Sequence, residues 1–201
     1  MFDARLRVWI DPPLNAVAAN LSRTNLSANQ LTLIGLVVGL GGAATIAAGA
    51  PRVGLLLFLI NRLFDGLDGA LARRKALTDR GGFLDIVSDF LIYATIPLAF
   101  AFADPVSNAL PIAALLASFI ASGVTFLAFA AIAAGRGLST TAQGAKSIYY
   151  LAGLAEGFET IVAFVAMCVW PDYVPVIATT FAVVCAVSAV ARIFIAMRAL
   201  V

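Results

Sequence analysis

The sequence predicts an all-α integral membrane protein, in which six transmembrane helices follow a short N-terminal interfacial amphipathic helix. Of its 201 residues, 62% are hydrophobic and only 12% are charged, whereas soluble domains are about 45–50% apolar and about 25% charged. This excess of apolar residues indicates lipid as the surrounding solvent. Apolar runs separated by glycine, proline and charge give the candidate spans 30–49, 53–73, 81–103, 108–134, 146–169 and 173–198.

The segment 1–22 predicts a helix that lies on the membrane surface, not a signal peptide. Phe2, Leu6, Trp9 and Ile10 recur at helical spacing, and charged residues among them leave no continuous apolar core. A frayed terminus is the alternative. Since no linker or repeat interrupts the sequence, we expect a single domain over 1–201, with a six-helix bundle at 28–199.

Basic residues fall almost entirely on one side of the six spans. The other side carries Arg52 alone. Because cytoplasmic loops are enriched in lysine and arginine, we expect both termini to face the cytoplasm. The residues on the cytoplasmic side are Arg5, Arg7, Arg23, Arg73, Arg74, Lys75, Arg80, Arg136, Lys146 and Arg198.

The composition excludes several classes of chemistry. The chain contains no histidine, which rules out Ser-His-Asp triads and zinc sites with histidine ligands. Cys168 and Cys185 lie inside apolar runs, so the disulfide framework of a secreted protein is not expected. A net charge of +2 is too small to indicate a surface for nucleic acid. Any chemistry must therefore use carboxylates, arginine, lysine, hydroxyls or the backbone.

Four aspartates lie where spans two and three face each other. Asp65 and Asp68 share one helix face near the end of span two, and Asp85 and Asp89 lie one turn apart at the start of span three. Four such charges require compensation, which Arg62 and Arg73 could supply in part and Mg²⁺ or Mn²⁺ more fully. A salt-bridge cluster that only fixes helix packing is the alternative. The cost of burying ions favours a functional site.

These aspartates also belong to a longer motif that resembles the signature of the CDP-alcohol phosphotransferases. Every defining position is present, as Asp65-x-x-Asp68-Gly69-x-x-Ala72-Arg73 and then, after seven residues, Gly81-x-x-x-Asp85-x-x-x-Asp89. The resemblance covers most of the chain and is nearest to a small bacterial inner-membrane branch. It implies transfer of a phosphatidyl group from a CDP-linked lipid, such as CDP-diacylglycerol, to a small hydroxyl acceptor, with release of CMP. It further implies two divalent ions, Mg²⁺ or Mn²⁺, and a homodimer in the inner membrane whose active site faces the cytoplasm.

The resemblance also implies roles for individual residues. Asp65, Asp68, Asp85 and Asp89 are expected to ligate the metals, and Asp89 is in addition the expected general base. The residues expected to contact the CDP moiety are Gly69, Ala72, Arg73, Gly81, Asn29 and Thr32. The last two belong to a polar signature that enters span one, where Ala28 stands in place of the proline common in the family.

The acceptor is expected to bind at span five. The candidate residues there are Lys146, Tyr149, Glu156, Glu159 and Thr160, which fall on one face or its adjacent edge. Two carboxylates favour a polyol or an amino alcohol. A phosphorylated alcohol, such as glycerol 3-phosphate or inositol phosphate, is the alternative, in keeping with the basic Lys146 and Arg136. A purely structural interpretation would instead pair Glu156 or Glu159 with Arg192.

Two other functional classes remain as alternatives. A membrane transporter could use the carboxylate cluster for ion passage, although such a site is expected near the midplane, and this cluster lies toward one end without an inverted partner. A membrane scaffold would use small-residue motifs such as Gly35-x-x-x-Gly39, which we interpret as helix packing in any case.

Overall fold

The computed structural model describes residues 3–136 and 157–200 of the chain. All secondary structure in these two ranges is helical, which confirms the predicted all-α class for them. The α-helices are α1 (Asp3–Leu21), α2 (Ala28–Ala47), α3 (Pro51–Lys75), α4 (Asp79–Ala103), α5 (Pro105–Gly135), α6 (Gly157–Val169) and α7 (Val174–Ala199). A single 3₁₀ turn, Pro171–Tyr173, leads into α7.

Local signals in the sequence set where these helices begin. Ser27 caps α2 in a reciprocal arrangement with Gln30, and Thr78 caps α4 by accepting a hydrogen bond from the backbone N–H of Gly81. Pro51 and Pro105 open α3 and α5 at the position where proline is favoured. Ala28, where the resemblance implies a proline, occupies the same kind of position as the first residue of α2 and follows the cap Ser27 directly.

Within residues 3–136 and 157–200, four helices are long and apolar enough to cross a membrane, namely α2, α4, α5 and α7 together with its 3₁₀ turn. The count of six spans is therefore not confirmed. The bounds of the predicted spans agree with those of the observed helices to within three residues wherever the structure describes them. The first part of the fifth predicted span, 146–156, lies outside the described residues. α1 occupies most of the predicted segment 1–22 and continues through Pro12 and Pro13; its interfacial position stays a prediction.

Small residues allow α2 to lie close to α3 and α4. A Cβ atom on Gly42 would lie 3.1 Å from the carbonyl oxygen of Gly54, and one on Gly35 would lie 2.9 Å from Phe64 Cβ. A Cβ on Gly39 would collide with Ile92 of α4. The Gly35-x-x-x-Gly39 motif therefore serves helix packing, as interpreted from the sequence. This close packing fixes the rotation of α3 and α4 about their axes.

The N-terminal helix rests on the part of α3 that carries the signature. Leu14 packs against Gly66, where a Cβ atom would lie 2.7 Å from Leu14 Cδ1. The Lys75 ammonium group donates hydrogen bonds of 2.8 Å to the backbone carbonyls of Thr24 and Leu26, in the loop between α1 and α2. The second half of α1 and the loop that follows it are thus held against the helix that bears Asp65 and Asp68.

Candidate functional site

Three of the four signature aspartates converge between α3 and α4. Asp65, Asp68 and Asp85 each offer a carboxylate oxygen, and these oxygens all lie within 4.8 Å of one another. The Asp68 side chain is buried, with 4% of the residue exposed. Carboxylate oxygens at this separation repel one another unless a cation lies among them, and they are the ligands that Mg²⁺ and Mn²⁺ prefer. The donor set therefore fits a hard divalent cation.

The fourth aspartate is held differently. Asp89 lies outside the converging group, and its Oδ1 atom accepts a hydrogen bond of 2.8 Å from Nη1 of Arg62. The same nitrogen lies 3.8 Å from Oδ2 of Asp65. Arg62 therefore bridges Asp89, the expected general base, and Asp65, an expected metal ligand. From the sequence, Arg62 was expected only to offset part of the negative charge.

The residues expected to bind CDP lie in two places around the aspartates. A Cβ atom on Gly69 would lie 3.3 Å from Nη1 of Arg73, so the missing side chain leaves room beside that guanidinium group. A Cβ atom on Gly81 would lie 3.1 Å from Oδ1 of Asn29, which places the polar entry to α2 next to the start of α4. Ala72 is half-buried on α3.

Thr32 contacts an aspartate in the structure. Its hydroxyl lies within hydrogen-bonding distance of Oδ2 of Asp68 and 3.1 Å from the carbonyl oxygen of Ala28. Both Thr32 and Asp68 are buried. Because the Asp68 carboxylate can only accept, Thr32 donates to it and fixes its orientation. The nucleotide contact that the sequence motif suggested for Thr32 stays a prediction. The contact with Asp68 was not foreseen, since helix periodicity alone does not show which neighbour a side chain meets.

A cavity of about 720 Å³ adjoins the aspartates. One part of its wall carries the signature residues, and another part is formed by α5, α6 and α7. Leu14 adds an apolar edge from α1. The polar residues of the lining are Asp11, Arg62, Asp65, Asp68, Arg73, Asp85, Asp89, Tyr93, Ser122, Thr160 and Arg192, and Gly69 and Cys185 also contribute.

The expected acceptor residues are placed only in part. Thr160 is buried and lines the cavity, and Glu159 is half-buried one residue earlier on α6. Lys146, Tyr149 and Glu156 lie outside the described residues. The structure therefore brings one of the five candidates into the same cavity as the aspartates.

A buried arginine was missed as a site residue. Arg192 lines the cavity with only 7% of its surface exposed, and its Nη1 atom donates to the backbone carbonyl (3.2 Å) and hydroxyl (2.9 Å) of Ser122. Its Nε atom has no hydrogen-bond partner, and no ion pair reaches the side chain from residues 3–136 or 157–200. No ion pair joins Arg192 to Glu159 in the described ranges, and Glu156, the other suggested partner, lies outside them. An arginine inside an apolar span was the available signal.

Comparisons with known proteins agree with the fold and with the signature. The model of the CDP-alcohol phosphatidyltransferase family matches residues 25–190. Over 194 residues the chain is 43% identical to the inner membrane protein YnjF of Escherichia coli (strain K12), covering 96% of this chain and 94% of that protein. It is 25% identical over 173 residues to the archaetidylinositol phosphate synthase of Pyrococcus horikoshii, covering 85% of this chain and 92% of the relative.

Among solved structures, the phosphatidylinositol phosphate synthase PgsA1 of Mycobacterium tuberculosis shares the fold. Its crystal structure with CDP-DAG bound has a TM-score of 0.73 and 22% identity, covering 91% of this chain and 92% of that one. The structure of the same protein in complex with manganese and citrate gives a TM-score of 0.73 at 24% identity, with 92% and 88% covered. The match over residues 25–190 and the close bacterial relative show that the chain belongs to the CDP-alcohol phosphatidyltransferase family and is a phosphotransferase enzyme.

Proposed function

We propose that the protein transfers a phosphatidyl group from a CDP-linked lipid, such as CDP-diacylglycerol, to the hydroxyl of a small alcohol. The convergence of Asp65, Asp68 and Asp85 beside a cavity of about 720 Å³ is the observation that carries this proposal. In the reaction, the acceptor oxygen forms a bond to the phosphatidyl phosphorus. The bond from that phosphorus to the bridging diphosphate oxygen breaks, and CMP leaves with this oxygen. The PgsA1 structure with CDP-DAG bound supports the choice of donor.

Asp65, Asp68 and Asp85 are proposed to hold divalent cations, either Mg²⁺ or Mn²⁺, and two ions are expected with Asp89 as an additional ligand. A bound divalent cation offsets the negative charge of the donor diphosphate and of the transition state. The all-oxygen donor set supports this assignment, as does the PgsA1 complex with manganese. Thr32 contributes by fixing the Asp68 carboxylate, since hydrogen bonds to a ligand control its orientation.

Asp89 is proposed to accept the proton of the acceptor hydroxyl as the general base. Its Oδ1 atom is occupied by Arg62, so Oδ2 is the atom assigned to receive the proton. Arg73 is proposed to pair with the donor diphosphate beside Gly69, where the absence of a side chain leaves space. The other proposed CDP contacts are Ala72, Gly81 and Asn29.

For the acceptor, we propose a phosphorylated alcohol such as glycerol 3-phosphate or inositol phosphate. Arg192 supports this alternative over the polyol or amino alcohol, because a buried guanidinium group without a carboxylate partner in the described ranges is suited to bind a phosphate. Thr160 in the same lining is proposed as a further contact to the acceptor. The relatives named as inositol phosphate lipid synthases are consistent with this choice.

The decisive experiment supplies purified protein with CDP-diacylglycerol, Mg²⁺ or Mn²⁺, and single acceptors. Glycerol 3-phosphate and inositol phosphate are each compared with glycerol, inositol and serine, and CMP release and the lipid product are measured by mass spectrometry. We expect turnover with a phosphorylated acceptor. Turnover with only the unphosphorylated alcohols would refute the acceptor, and no CMP release with any acceptor would count against the transferase itself.

We further propose that the chain is one domain with six transmembrane helices in the bacterial inner membrane. α3 has 25 residues, which at 1.5 Å per residue is about 37 Å, longer than the hydrocarbon core of about 30 Å. Its aspartate end carries Arg73, Arg74 and Lys75, whereas its other end carries Arg52, which supports a cytoplasmic active site. The E. coli relative is an inner membrane protein.

Two measurements test this placement. Cysteines introduced at the exposed positions 52 and 74 should be labelled by a membrane-impermeant thiol reagent from opposite sides, with position 74 accessible only after the inner membrane is opened. Labelling of position 74 in intact spheroplasts would reverse the orientation. The proposed homodimer is tested by light scattering of the detergent-solubilised protein, where a monomer would refute it.

A further inference from the structure

Arg62 is anchored to its own helix and, through a neighbour, to α2. Its Nε atom donates a hydrogen bond of 2.8 Å to Oδ1 of Asn61. Asn61 is buried, and its Nδ2 atom donates a hydrogen bond of 2.9 Å to the backbone carbonyl of Gly35. The orientation of the guanidinium group is therefore tied to the backbone of α2.

Two aromatic rings enclose the same guanidinium group. Its Cζ atom lies 5.7 Å from the ring centroid of Phe58, on the same helix, and 5.5 Å from that of Tyr93, on α4. Phe58 is fully buried, and only 11% of the Arg62 side chain is exposed. Cations over aromatic faces are attracted by the ring quadrupole, most strongly away from water. The rings and Asn61 together hold the guanidinium plane in one orientation.

The guanidinium group of Arg62 contacts Asp89, the expected general base. Nη1 lies 2.8 Å from Oδ1 of Asp89 and 3.8 Å from Oδ2 of Asp65. We propose that Arg62 is a positioning residue for the transfer reaction: it holds one oxygen of Asp89, so that the other is presented to the cavity to take the acceptor's proton. This inference rests on the role of Asp89 in the proposed function.

Charge compensation alone would be a weaker role for Arg62, and the two roles predict different behaviour for lysine. Lysine at position 62 keeps a positive charge near the carboxylates. Its donors all lie on one nitrogen atom, so it cannot reproduce the Nε contact with Asn61 together with the Nη1 contact with Asp89, and it has no planar group to face the two rings. Arg62→Lys therefore tests whether turnover depends on the exact placement of the guanidinium group or only on a positive charge near the carboxylates.

The first experiment compares Arg62→Lys with Arg52→Lys, a matched substitution at an exposed site on the same helix. For Arg62→Lys we expect kcat to fall by roughly ten- to a hundredfold, since a misplaced catalytic group can cost about 10² in rate. The KM for CDP-diacylglycerol should remain close to that of the wild type, and the variant should remain folded in chelator. Unchanged kcat would overturn the inference, as would parallel loss of kcat and folded protein.

A double-mutant cycle tests whether Arg62 acts through Asp89. Adding Arg62→Lys to Asp89→Asn should cause no further loss of turnover, because the group to be positioned has already lost its function. If the double variant instead lost turnover by the product of the two single losses, the inference would be overturned. The melting temperatures of the same four proteins in chelator provide a second double-mutant cycle, which does not depend on enzyme activity. We expect the change in melting temperature of the double variant to differ from the sum of the two single changes. Additive changes would refute the contact between Arg62 and Asp89.

If Arg62→Lys does not fold, a second variant, Asn61→Ala, tests the same inference. Asn61→Ala removes the Nε anchor but keeps the guanidinium group, so a smaller fall in kcat with an unchanged KM is expected, and unchanged kcat would refute the inference. Failure of the proposed function gives different results: without transferase activity no variant releases CMP, and if Asp89 is not the general base, Asp89→Asn keeps wild-type turnover whatever the Arg62 variants show.

Discussion

Replacing Arg192 by glutamine is expected to weaken the binding of a phosphorylated acceptor by roughly ten- to a hundredfold. The guanidinium group is buried in the cavity wall, and its Nε atom has no partner in the part of the chain that the structure describes. Hydrogen bonds to charged groups contribute about 1.5–3 kcal/mol, and about 1.4 kcal/mol corresponds to a tenfold change in affinity. Glutamine lacks the charge but retains a donor for Ser122.

The assay measures the KM for the phosphorylated acceptor and the KM for CDP-diacylglycerol on the same preparations. The acceptor KM should rise while the donor KM stays constant, because Arg192 lies on α7 and not on α3 or α4, the helices that carry the signature residues. Arg198→Gln, at an exposed site on the same helix, is the control and should leave both values unchanged. Equal increases in both KM values would indicate a structural role. An unchanged acceptor KM would refute the phosphate site.

Four further outcomes are expected. Chelation should abolish CMP release and added Mg²⁺ or Mn²⁺ should restore it, whereas full activity in excess chelator would remove the metals from the mechanism. Asp89→Asn should lower turnover by on the order of 10² while CDP-lipid binding persists; equal loss of both would make it a metal ligand only. Thr32→Val should raise the metal concentration needed for half-maximal activity by roughly tenfold, measured by titration with Mn²⁺. Gly66→Ala should lower the melting temperature, because the new Cβ would lie 2.7 Å from Leu14 Cδ1; Leu14→Ala should restore it partly, and Gly82→Ala, with nothing within 4 Å, should not lower it.

The arginines at positions 62 and 192 show two ways of placing a cation inside the bundle. The guanidinium group of Arg62 contacts carboxylates that belong to the same site, so its charge is balanced within the protein. That of Arg192 donates hydrogen bonds to the neutral Ser122, and no ion pair reaches it from the described residues. Since buried charges without partners are costly, the second arrangement supports the proposed binding of an acceptor phosphate at Arg192.

The sequence by itself determined the helices and their starting points. Hydropathy identifies apolar runs, and capping by Ser27 and Thr78 is a local interaction between residues three positions apart, so no tertiary contact is needed to predict it. The spacing of the signature also placed Asp65 and Asp68 on one helix face and indicated the family. These features follow from the geometry of single helices.

The tertiary structure alone decided which side chains meet. Asp89 pairs with Arg62 while the other three aspartates converge, Thr32 binds Asp68, and Arg192 reaches the cavity from α7. Such contacts depend on how far each helix is rotated about its axis and how closely it approaches its neighbours. Close packing sets both quantities, as where α2 meets α3 through glycine, and the period of one helix contains no information about the rotation of another.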